Sequence, residues 1–311
     1  MELRHIRYFL AVAEEMNFTR AAEKLCIAQP PLSRQIRDLE EELQVELFVR
    51  KPHALQLTEE GILFRQYAMQ IMNLVDRSTE EIHEIRGDLY GTLYLASVEG
   101  SAPRLLSGWI AGFEKLHPQV QYNLWNGNSD DVVNRVMKEL CELAIIMEPH
   151  NAEGVEALPV FSEPWVAIIP KGHPLAQKAD SPLEVKELLP YDLIIPSRTS
   201  RLEEINKWFA GTGHLPTVRC RMAHMLTAYE LTHQGVGISI YPAASGSLAG
   251  YPDVCVREIA EPAVTASYVL IWNKNHQLSH VAKEFVNYVT AQLPAVAEGN
   301  HVRAENRNGR C

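Results

Sequence analysis

One short segment, IAQPPLSRQI at residues 27–36, places two consecutive prolines directly before an amphipathic run. Proline lacks a backbone N–H and is tolerated in an α-helix only in the first turn, so a helix must begin close to Pro30. Apolar residues then recur at helical spacing as far as Leu43, while polar side chains crowd the first turn. The segment therefore predicts a helix that packs by its apolar face and keeps its leading end in solvent.

Two further helices precede this one in the sequence. Residues 3–15 carry apolar side chains at intervals of three and four, which predicts a first helix. Thr19 is placed to cap a second helix containing Ala21 and Ala22, whose small side chains let another helix approach closely. Because only a few residues separate the second helix from the third, the two must cross steeply, as in a helix-turn-helix.

A wing and a long helix are predicted next. Residues 47–57, LFVRKPHALQL, alternate in polarity and contain a proline, which indicates a two-stranded wing with Arg50 and Lys51 near its tip. A helix is expected from 58 to about 86, with a stripe of apolar residues at threes and fours. The stripe is explained by packing on the chain's own domain or by a coiled coil with a second copy, and we favour the second copy.

The remainder of the chain alternates between strand-like and helix-like runs beyond a glycine-containing segment at 87–91. This pattern indicates βαβ units on a mainly parallel sheet, arranged as two α/β lobes with a ligand cleft between them. Residues 297–311 are polar and unpatterned and predict a disordered tail. The expected strands are 93–97, 120–125, 143–147, 166–169, 193–195, 237–241 and 268–272, and the expected helices follow 103, 129 and 279 or span 202–210 and 224–234.

Composition excludes several classes of protein. A net charge of −10 argues against a protein that coats nucleic acid everywhere, yet permits one small DNA-reading surface. The 5 cysteines include no C-x-x-C pair, so neither a zinc site nor a disulfide framework is indicated. The apolar run at residues 8–13 is too short for a signal peptide, and no stretch approaches ~20 apolar residues. We therefore expect a cytoplasmic protein with no membrane partner.

The leading end of the third helix suits the reading of base edges in a major groove. Gln29 can bind adenine, Arg34 can bind guanine, Ser33 can serve either base, and Pro30 can make an apolar contact. The alternative is an ordinary packing motif with a solvated polar end. On the DNA reading, phosphates are neutralised by nearby cations, namely Arg20, Lys24, Arg37, Arg50 and Lys51.

The N-terminal string LRHIRYFLAVAEEMNFTRAAEKLCIAQPPLSRQIRDLEEEL, with LF, R and LTEEG up to residue 61, resembles the winged helix-turn-helix of LysR-type transcriptional regulators. The likeness continues more loosely to about residue 292 through GTLYLASVEG, FEKLHPQV and GVGISIYP. The strings MELRHIRYF and IAQPPLSRQI are especially similar to regulators of aromatic-acid catabolism. Two positions depart from the family pattern: Gln44 replaces a common glycine, and Glu142 replaces a usual aspartate.

The resemblance implies a bacterial transcription factor of the α/β class with an N-terminal all-α winged helix-turn-helix, a long linker helix and a two-lobed effector domain like periplasmic binding proteins. It also implies a homodimer through the linker, a homotetramer, and double-stranded promoter DNA, RNA polymerase and a small-molecule effector as partners. Gln29, Pro30, Ser33 and Arg34 would enter the groove, and Arg50 would touch the DNA backbone. The implied boundaries are 1–58, 59–87 and 91–292, with one lobe at about 91–160 and 266–292 and the other at about 161–265.

Family members bind effectors between the lobes, and the resemblance places such a site on loops of both. Ser101 and Ser129 stand at predicted helix N-termini, whose free N–H groups favour an anion. Arg198 and His224 could complete a carboxylate site, or be a surface charge and a structural histidine. Glu99 must be paired, turned outward or bound to a ligand donor, which leaves an amine-bearing or neutral effector open. The positions are Ser97, Glu99, Gly100, Ser101, Asn128, Ser129, Met147, Ser197, Arg198, Thr199, His224 and Met225.

Two rival classes are weaker. An enzyme would use the α/β lobes, but the sequence lacks G-x-S-x-G, H-E-x-x-H, the Walker loop and G-x-G-x-x-G. A protein that only scavenges a metabolite leaves the helix-turn-helix unexplained. His276 and His280 have metal-ligand spacing, but Ser279 indicates that a helix begins too late to align them, and Cys220 and Cys255 are better explained by packing than as a redox switch. We expect a ligand-responsive regulator with no catalytic residue, cofactor or metal.

Overall fold

The computed structural model describes residues 1–51, 54–84, 89–149, 153–178, 181–243 and 253–293. Its N-terminal elements lie within a residue or two of their predicted bounds, and the expected end of the long helix and most of the segment at 87–91 lie outside the described residues. These elements are helices α1 (Leu3–Glu15), α2 (Phe18–Lys24) and α3 (Gln29–Leu43), strands β1 (Phe48–Lys51) and β2 (Ala54–Leu57), and helix α4 (Glu59–Glu84).

A small aromatic core holds the N-terminal elements together. The ring of Phe9 on α1 lies 5.2 Å from that of Phe48 on β1 and 4.8 Å from that of Phe64 on α4. Leu32 and Ile36 on α3 are buried in the same core. The apolar face of α3 is therefore fixed against α1, the wing and α4, and its opposite face stays in solvent.

The cap of α2 differs from the prediction. The Asn17 side-chain oxygen accepts hydrogen bonds from the backbone N–H groups of Thr19, at 2.9 Å, and Arg20, at 3.1 Å. The assignment of Thr19 as the cap is wrong, because the helix already begins at Phe18 and Asn17 has the extended backbone that a cap requires. Both residue types favour caps, and the sequence did not discriminate between them.

Replacing Asn17 with alanine is expected to lower the free energy of unfolding of the N-terminal elements by ~1 kcal/mol, because two N–H groups lose their acceptor. Thr19→Ala is the matched control and should change this free energy by a few tenths of a kcal/mol at most, on the order of a non-cap surface change. Urea unfolding combined with hydrogen exchange of the α2 amides measures both. Equal losses in the two variants would contradict the assigned cap.

The rest of the described chain forms a ten-stranded sheet flanked by helices. The predicted strands and helices are all present, most of them extended by a few residues. The strands are β3 (Gly91–Ser97), β4 (Val120–Asn126), β5 (Leu143–Met147), β6 (Val155–Pro170), β7 (Leu183–Glu184), β8 (Asp192–Pro196), β9 (Thr217–Met222), β10 (Ile238–Pro242), β11 (Val254–Glu261) and β12 (Thr265–Asn273). The helices are α5 (Ala102–Leu116), α6 (Ser129–Met137), α7 (Thr199–Phe209), α8 (Met225–His233) and α9 (His280–Gln292).

The sheet is mixed, and the expected mainly parallel sheet is found only toward its two ends. Strands β4, β3 and β5 run parallel, as do β10, β8 and β9. Between them β6 and β12 pair antiparallel, and β6 continues into antiparallel pairing with β10 and β11. We call β3, β4, β5 and β12 with α5, α6 and α9 the first lobe, and β7–β11 with α7 and α8 the second lobe. The long strand β6 joins them.

Three stretches of strand escaped the sequence analysis. Only residues 166–169 of the 16-residue β6 were predicted, because Pro159 and Pro164 interrupt its first part. Strand β9 alternates exposed and half-buried residues at the sheet edge, and its charges hid the pattern. Strand β11 places the charged pair Arg257 and Glu258 inside an otherwise apolar run. A strand that satisfies its polar groups through distant partners carries a weak local pattern.

The two departures from the family pattern are accommodated locally. Gln44 adopts the left-handed conformation, with φ of 57°, that a glycine would take at the end of α3. The Glu142 carboxylate accepts hydrogen bonds from the backbone N–H of Ser279, at 2.7 Å, and its hydroxyl, at 2.9 Å, which ties β5 to the start of α9. Within the described ranges, no helix is long and apolar enough to cross a membrane.

Candidate functional site

The leading end of α3 presents a compact polar surface. Pro30 and Arg34 are exposed on its first two turns, and Gln29 and Ser33 are half-buried beside them. Arg34 and Arg37 make no ion pair with any residue that the structure describes. Two cationic side chains are therefore available to an anionic partner at the end of the helix that also carries the hydrogen-bonding groups.

The other predicted cations differ in their surroundings. Lys24 lies 2.8 Å from a Glu14 carboxylate oxygen, and this hydrogen bond raises the pKa of the lysine. The Arg20 guanidinium donates to the Glu15 backbone carbonyl at 2.6 Å, so both cations are anchored to the end of α1. Arg50 and Lys51 belong to β1, but their side chains lie outside the described residues.

A cavity of about 380 Å³ lies between the two lobes. Its lining comes from the carboxyl ends of β3, β4, β5, β8 and β10 and from the loops that follow them, as expected for an open α/β sheet. Predicted effector residues that line it are Glu99, Asn128, Ser129, Met147, Arg198, His224 and Met225. The lining also includes Val98, Trp125, Asn126, Gly127, Asp131, Pro196, Arg201, Ala223, Tyr241, Pro242 and Tyr268.

The remaining predicted effector residues lie beside the cavity. Ser197 and Thr199 line an adjoining cavity of about 550 Å³. Ser97 is buried and donates to the Asn126 side-chain oxygen at 3.1 Å. Gly100 lies behind the wall, where an added Cβ would stand 2.5 Å from the Tyr268 hydroxyl. These positions support the site without forming its described wall.

The two predicted helix N-termini are already satisfied. The Ser101 hydroxyl donates to Glu163 at 2.9 Å, and its backbone N–H donates to the Tyr268 hydroxyl at 3.3 Å. At α6 the Asn128 side-chain oxygen accepts from the N–H groups of Asp130, at 3.0 Å, and Asp131, at 2.9 Å. The expectation of free N–H groups at these ends is wrong, because side chains of the protein itself occupy them.

A buried pair behind the cavity wall fixes one of its rings. The Tyr268 hydroxyl donates to Glu163 at 2.7 Å. Burial raises the pKa of Tyr268 well above its usual value, and the nearby Glu163 carboxylate adds to the shift. Tyr241 is also raised in pKa by burial and then by the charge of Glu99. Both phenols therefore stay neutral and present rings to the cavity.

Two contacts bridge the lobes across the cleft. The Glu99 carboxylate lies 2.8 Å from the His224 Nδ1 and accepts from the backbone N–H of Met225 at 2.7 Å, so Glu99 caps α8. Arg198 binds Asp130 through its Nε, at 3.2 Å, and its Nη2, at 2.6 Å. Of the three possibilities for Glu99, pairing is the one observed, and Arg198 is paired as well.

Arg201 is the lining residue that the sequence analysis missed. It is 2% exposed, donates through Nη1 to Glu204 at 2.5 Å and through Nη2 to the Glu148 carbonyl, and leaves Nε without a partner. Burial lowers the pKa of its guanidinium, and Glu204 opposes that shift. A detectable signal exists in the sequence: Arg201 falls on the face of α7 that Ile205 and Trp208 bury. A charged residue on an apolar face requires an explanation.

The histidine pair does not share a helical face. Helix α9 begins at His280 after the cap Ser279, as predicted, so His276 precedes the helix. The His276 Nδ1 lies 3.1 Å from a carboxylate oxygen of Glu139. This arrangement gives His276 a structural contact between α9 and the end of α6.

Comparisons with known proteins match both parts of the chain. A family described as "LysR substrate binding domain" matches residues 86–294, and one described as "Bacterial regulatory helix-turn-helix protein, lysR family" matches residues 3–62. The HTH-type transcriptional regulator BenM of Acinetobacter baylyi is 29% identical over 88% of this chain and 90% of its own. The uncharacterized HTH-type transcriptional regulator YnfL of Escherichia coli is 30% identical over 92% and 96%.

A solved structure extends the likeness to the whole arrangement. Full-length CbnR complexed with its target DNA superposes with a TM-score of 0.72 at 26% identity, covering 94% of this chain and 99% of that one. The named relatives are transcriptional regulators and not enzymes.

Proposed function

The chain belongs to the LysR family of bacterial DNA-binding transcriptional regulators, and on that premise we propose that it reads promoter DNA with α3 and responds to a small organic acid bound between its lobes. The observation that carries the proposal is the exposed, unpaired Arg34 beside Gln29 and Ser33 at the leading end of α3. Comparing footprints of the protein on its own upstream region and on random fragments, over a range of salt, tests the proposal.

Gln29, Pro30, Ser33 and Arg34 are proposed to contact base edges, because a helix-turn-helix inserts the N-terminal residues of its second helix into the major groove. Phosphates are proposed to meet the cations around this surface. These cations are Arg20, Arg37, Arg50 and Lys51. Arg20 would exchange its contact with Glu15 for a phosphate, at small cost because its pair is solvent-exposed.

Two copies are proposed to associate through α4. Its inner face packs into the N-terminal core through Phe64, Ala68 and Ile71. Another stripe leaves Leu63, Tyr67 and Leu74 exposed by 54%, 56% and 64%. A contiguous apolar stripe at this spacing fits a helical partner, and a second copy supplies an identical one. The homodimer would place two α3 helices on one DNA duplex, and a homotetramer and contact with RNA polymerase extend the family's expectation.

The effector is proposed to occupy the cavity between the lobes, in contact with the predicted residues that line it. Trp125, Met147, Met225, Tyr241 and Tyr268 give the cavity apolar walls, and polar groups of both lobes lie at its edges. An organic acid with an apolar or aromatic body matches this lining. A thermal-shift screen of organic acids and amines identifies the class, since a ligand of the folded state raises apparent stability.

Helix α6 is proposed to transmit effector binding to the DNA-binding end. Its first turn lines the cavity, and its Asp130 bridges the cleft to Arg198. At its other end the carbonyls of Lys138 and Glu139 accept hydrogen bonds from Gln70, at 2.6 Å, and Asn73, at 3.0 Å, on α4. A rigid helix thus touches the effector cavity and the linker at its two ends. A change in the cleft would move the point at which α4 rests on the first lobe.

The double variant Gln70→Ala, Asn73→Ala is expected to bind effector as the wild type does but to lose the effector's influence on DNA affinity. Such couplings commonly amount to ~5- to 150-fold. Anisotropy titrations of promoter DNA, with and without the acid giving the largest thermal shift, measure the loss. Gln66→Ala, on the same helix and without a hydrogen bond to α6, is the control. Full retention of coupling in the double variant would exclude α6 as the route.

A further inference from the structure

We infer that Arg201, and not Arg198, recognises the carboxylate of the effector, and that the effector is a small aromatic monocarboxylate. The inference rests on the proposed function, because it names the ligand class of the same cavity. It follows from comparing the anion-binding groups around the cleft and asking which of them still lacks an oxygen acceptor.

The groups that the sequence points to are already occupied by the protein's own oxygens. Arg198 donates to both carboxylate oxygens of Asp130 and to the Pro149 carbonyl at 3.4 Å. The N-terminus of α8 is capped by Glu99, and that of α6 by Asn128. A ligand carboxylate at any of these places would have to displace an oxygen that is tethered nearby, which lowers its apparent affinity.

Arg201 differs from these groups in having an unsatisfied donor. Its two terminal nitrogens are bound to Glu204 and to the Glu148 carbonyl, but its Nε has no acceptor among the described residues. The side chain is 2% exposed and lines the cavity. A buried N–H of a cation is almost always paired, because its desolvation is otherwise uncompensated. The missing partner is an oxygen acceptor, and a carboxylate is the acceptor that a guanidinium binds most strongly.

A second buried donor lies close to Arg201. The Trp165 ring centre is 5.6 Å from the guanidinium carbon, and its indole N–H also lacks an acceptor among the described residues. Trp165 is fully buried beneath the cavity, so water reaches it only through the same space. Two neighbouring unpaired donors are consistent with an acceptor that is supplied from outside the chain.

The walls and the remaining charges define the rest of the ligand. Trp125, Tyr241, Tyr268 and the thioethers of Met147 and Met225 offer ring and sulfur contacts, which favour an aromatic body. The hydroxyls are engaged, since Tyr241 donates to the Met222 carbonyl at 3.2 Å and Tyr268 donates to Glu163.

The acidic groups of the lining argue against ligands with other charges. Glu99 is bound by His224 and Met225, and Asp131 accepts from the Asn128 amide at 2.6 Å, so neither seeks an amine. A second carboxylate on the ligand would instead be repelled by them. One carboxylate on one ring satisfies Arg201 without meeting Glu99 or Asp131.

Calorimetric titration of the full chain with benzoate and with benzamide tests the inference. We expect the wild type to bind benzoate at least tenfold more tightly than its neutral analogue, and Arg201→Gln to reduce that ratio to near one. Glu204→Gln is expected to tighten benzoate binding several-fold, because it removes the carboxylate that competes for Arg201. A misfolded variant cannot produce such a gain. Arg219→Gln, an exposed arginine paired with Asp192, is the control.

The inference is overturned if the wild type does not prefer benzoate, or if that preference survives in Arg201→Gln while Arg198→Gln abolishes it. Should circular dichroism show that Arg201→Gln is unfolded, Glu204→Gln decides, and unchanged benzoate affinity in that variant overturns the inference. Promoter DNA binding is measured on the same preparations. Specific DNA binding without a benzoate preference leaves the regulator intact and rejects Arg201, whereas absent DNA binding rejects the proposed function itself.

Discussion

Replacing Arg34 with alanine is expected to lower affinity for the promoter by about 30-fold or more while leaving the fold unchanged. A bidentate contact between arginine and guanine contributes ~1–3 kcal/mol of base discrimination, and a dimer on two half-sites would lose two such contacts. Arg34 is exposed and unpaired among the described residues, so its removal breaks no internal interaction. Gel-shift titration against the promoter and a random fragment measures the change, with the loss confined to the promoter.

Two other arginines separate base reading from general electrostatics. Arg37→Ala should weaken binding to promoter and random fragments alike and reduce the salt dependence, as expected for a phosphate contact. Arg219→Ala removes the same charge from the second lobe, far along the chain from the helix-turn-helix, and should leave both affinities unchanged. An unchanged footprint in Arg34→Ala would count against insertion of α3 into the groove.

Much of the N-terminal fold was predictable because its signals are local. The prolines at 30 and 31 fix the start of α3, and helical periodicity gives its apolar face. The error at Thr19 has the same local origin, since Asn17 and Thr19 are both good caps and only the backbone conformation decides between them. The centre of the sheet was less predictable, because β6 serves two lobes and its prolines mask its length.

The cleft shows where local reasoning ends. Its loops follow from the strand pattern, and 7 of the predicted effector positions line the cavity. The pairs that neutralise it do not follow, since Glu99 and His224 are 125 residues apart and Arg198 and Asp130 are 68 apart. Such partners are chosen by tertiary packing. Arg201 was missed for the opposite reason: its position on an apolar helix face was visible, but its unpaired Nε was not.

Replacing Leu74 and Tyr67 with aspartate is expected to convert the dimer to monomers and to abolish specific DNA binding. Each buried leucine or aromatic side chain contributes ~1.5–3 kcal/mol, and two-fold symmetry counts every substitution twice. The carboxylates would also face an apolar partner surface without a counter-charge. Sedimentation and sizing chromatography measure the mass, and anisotropy measures DNA affinity. The sequence pairs Leu74 with Ile82, but the Ile82 side chain lies outside the described residues, so Tyr67 takes its place.

A solvent-exposed leucine elsewhere supplies the control that gives this experiment its meaning. Leu215 is 71% exposed in the second lobe, and Leu215→Asp introduces the same charge at a position outside the proposed interface. Because Leu74 and Tyr67 are exposed in the single chain, the aspartates do not disturb its core, so loss of the dimer would report on the partner helix alone. A stable dimer in the double variant would mean that the apolar stripe of α4 is covered by something other than a second copy. DNA binding would then require another route to paired α3 helices.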